Sequence, residues 1–248
     1  MASRFLTPPK RRLISRRSLL IGSASLIAAP YVARAGSISL LGAGKVSSGG
    51  GGGGTLALVG SAKSGAAVSP ATMSLTTTAP AQISLFFANN GLSPINQTVS
   101  DAAGLTWSVR ATNALNLVEW TAFAPAPLTG DVISFGLGAG GVGLYCEAVA
   151  LAVGGSAGFD PNGALPDTVA SGGLTLSTTN PNTLMLAAFR GGTPIASGGG
   201  TGPAAGWTLG IDGDFLGVEY KIVSTAQSGI TVPDPNGNNG AIGDAITA

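Results

Sequence analysis

Short runs of alternating apolar and polar residues, each closed by a cluster of Gly, Pro or Asn, confine this chain to β structure. Leu105, Trp107 and Val109 alternate with Thr106, Ser108 and Arg110, and Val118, Trp120 and Ala122 alternate with Glu119 and Thr121. Trp207, Leu209 and Ile211 alternate with Thr208 and Gly210, and Val218, Tyr220 and Ile222 with Glu219 and Lys221. Period two with one polar face is the pattern of a half-buried antiparallel strand. Leu184 to Phe189 is apolar on both faces and predicts a fully covered central strand, and Val142 to Val153 reads the same way, interrupted by Glu147. Turn clusters at Asn89-Asn90-Gly91, Thr129-Gly130-Asp131, Asp160-Pro161-Asn162-Gly163, Asn180-Pro181-Asn182 and Ile195 to Pro203 separate the runs. No stretch after residue 54 carries a helical period. The pattern predicts an all-β fold, an antiparallel β-sandwich of jelly-roll or Ig-like type.

Strand phase then assigns individual side chains. Trp107, Trp120 and Trp207 fall in the apolar phase and are expected in the core rather than on a sugar-stacking platform. Glu119, in the opposite phase to Trp120, is expected to face solvent or a groove. Cys146 lies in an apolar run and reads as a buried structural thiol; as the single cysteine it forms no intrachain disulfide. Phe159 and Phe215 fall in turn regions and are candidate ligand contacts.

The order of segments from Ser84 to Val232 resembles a known module. Asp101-Ala102-Ala103-Gly104-Leu105-Thr106-Trp107, Glu119-Trp120-Thr121-Ala122, Leu128-Thr129-Gly130-Asp131-Val132-Ile133, Gly206-Trp207-Thr208 and Glu219-Tyr220-Lys221-Ile222-Val223 follow one another as in β-sandwich modules of bacterial surface proteins and of phage tail or spike proteins. The resemblance implies a binding or display role and no catalysis. It speaks to fold more than to function.

The first 35 residues carry a different signal. Arg4, Lys10, Arg11, Arg12, Arg16 and Arg17 precede a mildly apolar run, Leu19 to Val32, that is short for a membrane span of about 20 residues. Ser15-Arg16-Arg17-Ser18-Leu19-Leu20 with Ala33-Arg34-Ala35 resembles a bacterial twin-arginine (Tat) signal peptide with its small-x-small cleavage site. Leu19-Leu20 stands where that family prefers Phe-Leu. The resemblance implies export of an already folded protein, with the Tat translocase and signal peptidase as partners, the export residues being Arg16, Arg17, Ala33 and Ala35. A lone cysteine agrees with folding in a reducing cytoplasm. The expected organisation is a signal peptide over 1–35, a short apolar arm and Gly-rich linker over 36–54, and the β-sandwich over 55–248. The six consecutive glycines Gly49 to Gly54 make the linker.

Without residues 1–35 the chain keeps Lys45, Lys63, Arg110, Arg190 and Lys221 against 11 acids, a net charge of −6. Five scattered cations make neither a nucleic-acid face nor a polybasic lipid patch, so neither nucleic acid nor stable membrane insertion after cleavage is expected. A phosphate-cradling loop fails as well: Gly44-Lys45 is followed by Val46 instead of Ser or Thr, and Ser39 occupies the first glycine position.

The sequence contains no histidine, which removes Ser-His-Asp and Cys-His nucleophile systems and most zinc sites. Paired carboxylates could hydrolyse glycosides without it, and Asp212, Asp214, Glu219, Glu119 and Glu147 are the acids to consider. Asp234-Pro235-Asn236-Gly237-Asn238-Asn239-Gly240 with Asp244 sets oxygen ligands on alternate residues, a candidate Ca²⁺ loop through Asp234, Asn236, Asn238 and Asp244. Asn239 replaces the glycine an EF-hand-type loop has at its sixth position, and Asp-Pro-Asn-Gly alone is a strong turn former. No other cofactor is expected. The sequence therefore reads as a periplasmic or extracellular, non-enzymatic protein for adhesion or ligand display at the cell envelope, its partner a glycan or an envelope protein. The alternatives are a phage-derived tail or head-spike protein and a carboxylate-dependent glycoside hydrolase.

Overall fold

The computed structural model describes residues 55–89, 97–113, 116–138, 144–192, 194–195, 200–235, 237 and 239–248. All of these fall within one compact unit, Leu41–Ala248. The twin-arginine segment and the linker to residue 54 lie outside the described residues.

The described residues contain strands and no helix. In chain order the strands are β1 (Ala57–Lys63), β2 (Ala67–Val68), β3 (Ala71–Leu75), β4 (Ala81–Asn89), β5 (Gln97–Asp101), β6 (Ser108–Asn113), β7 (Leu117–Ala124), β8 (Asp131–Leu137) and β9 (Tyr145–Gly154). They continue as β10 (Gly158–Phe159), β11 (Asp167–Val169), β12 (Leu174–Leu176), β13 (Thr183–Arg190), β14 (Thr208–Asp212), β15 (Leu216–Val223), β16 (Ile230–Val232) and β17 (Ala241–Thr247). The expected all-β, antiparallel architecture is present, and β9 and β13 are covered strands inside large sheets, as their apolar runs require.

Two large sheets carry the fold. One has the order β1-β9-β4-β7-β6, with β2 also on β9; the other has the order β10-β17-β13-β15-β14, with β11 also on β17. A three-stranded sheet, β3-β8-β5, and a two-stranded sheet, β12-β16, complete the set. The connectivity repeats strand for strand: β1 matches β10, β3 matches β12, β4 matches β13, β6 matches β14, β7 matches β15, β8 matches β16 and β9 matches β17. Among the described residues β5 has no counterpart.

Turn chemistry repeats with it. The Thr77 hydroxyl accepts from the Leu128 N–H and donates to Ala79 O; the Thr178 hydroxyl accepts from Gln227 N–H and donates to Asn180 O. Thr76 and Ser177 accept in the same way from Gly130 N–H and Gly229 N–H. The chain is therefore a tandem pair of sandwiches, residues 55–154 and 158–247. A single sandwich over 55–248 was the sequence expectation; the doubling is new.

Three apolar cores follow. Ile83, Leu85, Phe87 and Ala150 of the first large sheet pack on Leu75, Ile133 and Phe135 of its small sheet, with Phe87 and Phe135 edge to face. Met185, Ala187 and Phe189 of the second pack on Leu174, Leu176 and Val232. The opposite faces of the two large sheets meet each other: Phe86, Val149, Leu151 and Val153 pack against Leu184, Leu186, Val218, Ile242 and Ile246. Across this middle core β1 lies near β14, β9 near β15, β7 near β17, and β6 near β11 and β17. Exchanging the repeats turns the β9–β15 approach into β7–β17, and the β1–β14 approach into β6–β11, β10 and β11 together lining β17 as β1 lines β9; the two sandwiches thus pack about an approximate local pseudo-twofold axis, as in an isologous dimer.

Both faces of each large sheet are covered, and this overturns the expectation for Glu119. Glu119 is fully buried, directed into the middle core opposite Phe86 and Ala111. The tryptophan expectation holds for Trp207, which is 7% exposed. Trp107 and Trp120 lie partly buried at the margin of the first core.

Two bulges break the phase read from the sequence. The register shifts between Val109 and Ala111 and again between Leu209 and Ile211, leaving Arg110 and Gly210 as extra residues. A bulge re-aims the side chains beyond it. Val109 is thus 51% exposed rather than inward, and Ile211 joins the middle core while Leu209 packs in the second sandwich. The expected strand at 105–110 begins only at Ser108; Trp107 precedes it, and its Nε1–H donates to Asp101 Oδ2 at 2.6 Å.

Candidate functional site

Several buried polar groups of the described residues lie where the two repeats meet, among them Asn113, Glu119, Glu147 and Asp244. Arg110, the bulged residue of β6, reaches across the middle core to Asp244 of β17: its Nε donates to Oδ2 and its Nη2 to Oδ1, the latter at 3.0 Å. The guanidinium lies 3.8 Å from the Phe159 ring centroid, a cation–π contact that also fixes its plane. Asp244 is fully buried and accepts from the Ala245 N–H as well. Glu119 faces the same cluster with Ser84 beside it. Among the described residues neither Glu119 oxygen nor the Ser84 hydroxyl makes a hydrogen bond of good geometry, although Ser84 and Asp244 are close enough to act on the carboxyl.

Two buried carboxylates thus share one partly exposed cation. Burial pushes the Glu119 carboxyl well above the usual carboxylate range, the Asp244 charge pushes it further, and Ser84 and Arg110 oppose this. Burial also raises Asp244, against the hydrogen bond and charge of Arg110.

Glu147 of β9 makes the second link. Its carboxylate accepts from the N–H groups of Asp214, Phe215 and Leu216 at 2.8, 2.9 and 3.0 Å, gripping the turn between β14 and β15. A Cβ at Gly213 would lie 2.1 Å from Glu147 Oε1, so only glycine admits the carboxylate. Around it Lys63 Nζ donates to Asp212 O and Ala66 N–H donates to Asp214 Oδ2. On the other side of the axis the Asn113 amide donates to Val169 O and Ala241 O, and Arg190 Nε donates to Asn89 O.

The remaining sequence candidates are distributed rather than brought together. Glu219 is fully buried, but in the second sandwich's own core; its Oε2 accepts from the Ala204 N–H at 2.7 Å and its Oε1 has no partner among the described residues. Burial pushes its carboxyl up to about 7. Asp212 accepts from the Ile195 N–H. Asp160 accepts from Asn162, Thr179 and Asn180, so the Asp160–Gly163 segment is a turn whose acid pins the neighbouring loop. Phe159 and Phe215, expected in exposed loops, are half-buried against the middle core. Of the candidate Ca²⁺ ligands, Asn236 and Asn238 lie outside the described residues, and Asp244 sits within β17 engaged by Arg110. Among the described residues no three of the His, Cys, Asp and Glu side chains group as a metal site. Cys146 is buried, and burial raises its thiol to about 11.

Sequence reasoning missed the Arg110–Asp244 pair and the Glu147 clamp. Arg110 sat in the polar phase of its strand and gave no signal for the first; for the second the signal was a glutamate interrupting an otherwise unbroken apolar run. The Val118-Glu119-Trp120 and Val218-Glu219-Tyr220 likeness would have misled, because Glu119 enters the middle core and Glu219 the outer one.

The carboxyl shifts have one sign, and stability should follow it. Glu219 is protonated in folded and unfolded chains below its ordinary value of 4.5. Between 4.5 and about 7 the folded chain keeps a proton that the unfolded chain has lost, so stability falls as pH rises through that window. Glu119, Glu147 and Asp244 are shifted in the same direction. Calorimetry should give a higher melting temperature at about pH 5.5 than at about pH 8, with a shallower slope in Glu219→Gln.

Comparison with protein-family models, with curated proteins and with solved structures gave no match.

Proposed function

We propose that this chain is an exported, non-catalytic β-sandwich protein that presents a binding surface at the cell envelope, with a glycan or another envelope protein as its partner. The use made of the carboxylates carries the non-catalytic reading. Glu147 and Asp160 each take three backbone N–H groups, Asp244 takes Arg110, and Glu119 and Glu219 are sealed in separate cores. Hydrolytic acids need a pair facing a shared, accessible substrate position. The exposed apolar side chains support display: among the described residues Val68, Val109, Phe123, Val132 and Tyr145 are about half exposed, and all five lie in the first repeat. Tyr145 and Val68 stand opposite each other on β9 and β2.

Two experiments test this reading. The purified chain lacking residues 1–35 is applied to a glycan array and to intact cells; saturable binding that Tyr145→Ser or Phe123→Ser weakens at unchanged melting temperature is expected. Turnover of a glycoside panel with no binding would establish the hydrolase instead. For export, changing Arg16 and Arg17 to lysine should leave unprocessed precursor in the cytoplasm; mature-size protein outside the cell would assign a general secretory route.

A further inference from the structure

The middle core raises a problem of seating. Each large sheet offers it a face of Leu, Val, Ile and Ala repeating every second residue: Val149, Leu151 and Val153 on one side, Leu184, Leu186 and Ala188 on the other. Sliding one face over the other by two residues again sets aliphatic against aliphatic, so apolar burial alone discriminates weakly among seatings. Charges buried in that core discriminate strongly, because a shifted seating separates them from their partners.

The pseudo-twofold axis shows that the charges are there by choice of residue and are not demanded by the position. The bulges place Arg110 and Gly210 at matching points, since Val109 pairs with Trp120 and Leu209 with Glu219 just before them. Ala111 pairs with Glu119 where Ile211 pairs with Val218, which matches Glu119 to Val218. Ile83 pairs with Ala152 where Met185 pairs with Ala245, which matches Leu151 to Asp244. A Cβ at Gly210 would approach Leu151 Cδ1 to 3.3 Å, the same cross-repeat approach that Arg110 makes to Asp244. One side of the axis is therefore Arg110, Glu119 and Asp244, and its twin is Gly210, Val218 and Leu151.

We propose that the Arg110–Asp244–Glu119 cluster is a register key that fixes how the two sandwiches seat on one another. Only the seating in which Arg110 meets Asp244 gives the buried acids a cation. Phe159 holds the guanidinium in place from β10, so both repeats set the fit. The residues of the twin itself, Gly210, Val218 and Leu151, supply apolar contact only, and direction at that end comes from Glu147 nearby on β9. Two off-axis links, this cluster and the Glu147 clamp on the turn after β14, keep the sheets from sliding and from pivoting; with the cluster gone the sheets can turn about the clamp alone.

The test replaces the key by residues like its twin: Arg110→Leu, Glu119→Val and Asp244→Leu together in the full-length chain. The triple variant should fold, melt at or above the wild-type temperature, and lose uniqueness. Two or more amide resonances are expected for residues of β6, β7 and β17 where the wild type gives one, with amide exchange at least tenfold faster along those strands. A single sharp set of resonances with wild-type protection would overturn the proposal. A triple variant that does not fold would overturn it as well, because the cluster would then be required for stability and not for choice of seating.

Discussion

Arg110→Ala should remove about 3–5 kcal/mol of folding stability, the range for breaking a buried ion pair by deleting one partner. The loss comes less from the missing attraction than from what stays behind. Asp244 and Glu119 are both fully buried, and without the guanidinium neither has a counter-charge. Against a total of about 5–15 kcal/mol this is a large fraction. Urea unfolding at about pH 8 reads it directly, and the defect should shrink at about pH 5, where protonation removes the stranded charge. The removed packing on Phe159 is not relieved by acid, so a pH-independent remainder is expected. A change below about 1 kcal/mol at the higher pH would place the pair with exposed ion pairs, contrary to its burial.

Trp207→Ala should cost about 3–5 kcal/mol, as large-to-small changes in a filled core do. Trp207 packs with Met185, Ala187, Phe189 and Ile195 in the second sandwich. The same change at Trp120 should cost distinctly less, because that ring is partly exposed and its buried Nε1–H has no acceptor among the described residues. Removing an unsatisfied donor returns part of what the lost contact takes away. Chemical denaturation of the two variants side by side gives the difference. Equal losses would mean that the margin of the first core is as tightly filled as the centre of the second.

The strands themselves were legible because their determinants are local. Leu184 to Phe189 needed no partner to be recognised as a covered strand, and Asp160-Pro161-Asn162-Gly163 carries its own turn chemistry. Three things were not local. Arg110 and Gly210 each add one residue to an edge strand, and a single extra residue inverts every assignment after it. Glu119 and Glu219 alternate with apolar neighbours as solvent-facing residues do; they are buried because a second sheet covers their face, and no period-two pattern reports what lies on the far side. The candidate seam joins residues such as Arg110 and Asp244 or Glu147 and Phe215, whose proximity exists only once both sandwiches have formed. The doubling left a trace in Leu75-Thr76-Thr77-Thr78-Ala79-Pro80 and Leu176-Ser177-Thr178-Thr179-Asn180-Pro181. Asn182, at φ 52°, lengthens the second turn by one residue and shifts the spacing of everything beyond it.

The local twofold has a consequence for what substitution can achieve in such a molecule. In a homodimer built from one repeat, every mutation is made twice, and a cation introduced at the β6 bulge would appear at both ends of the interface together with whatever faces it. Covalent fusion lifts that constraint. Residue 110 can become arginine while residue 210 stays glycine, and residue 244 can become aspartate while residue 151 stays leucine. The three residues between β9 and β10 therefore do more than tether two similar halves. They let each half be edited alone, so that one end of a near-equivalent surface can carry chemistry the other does not.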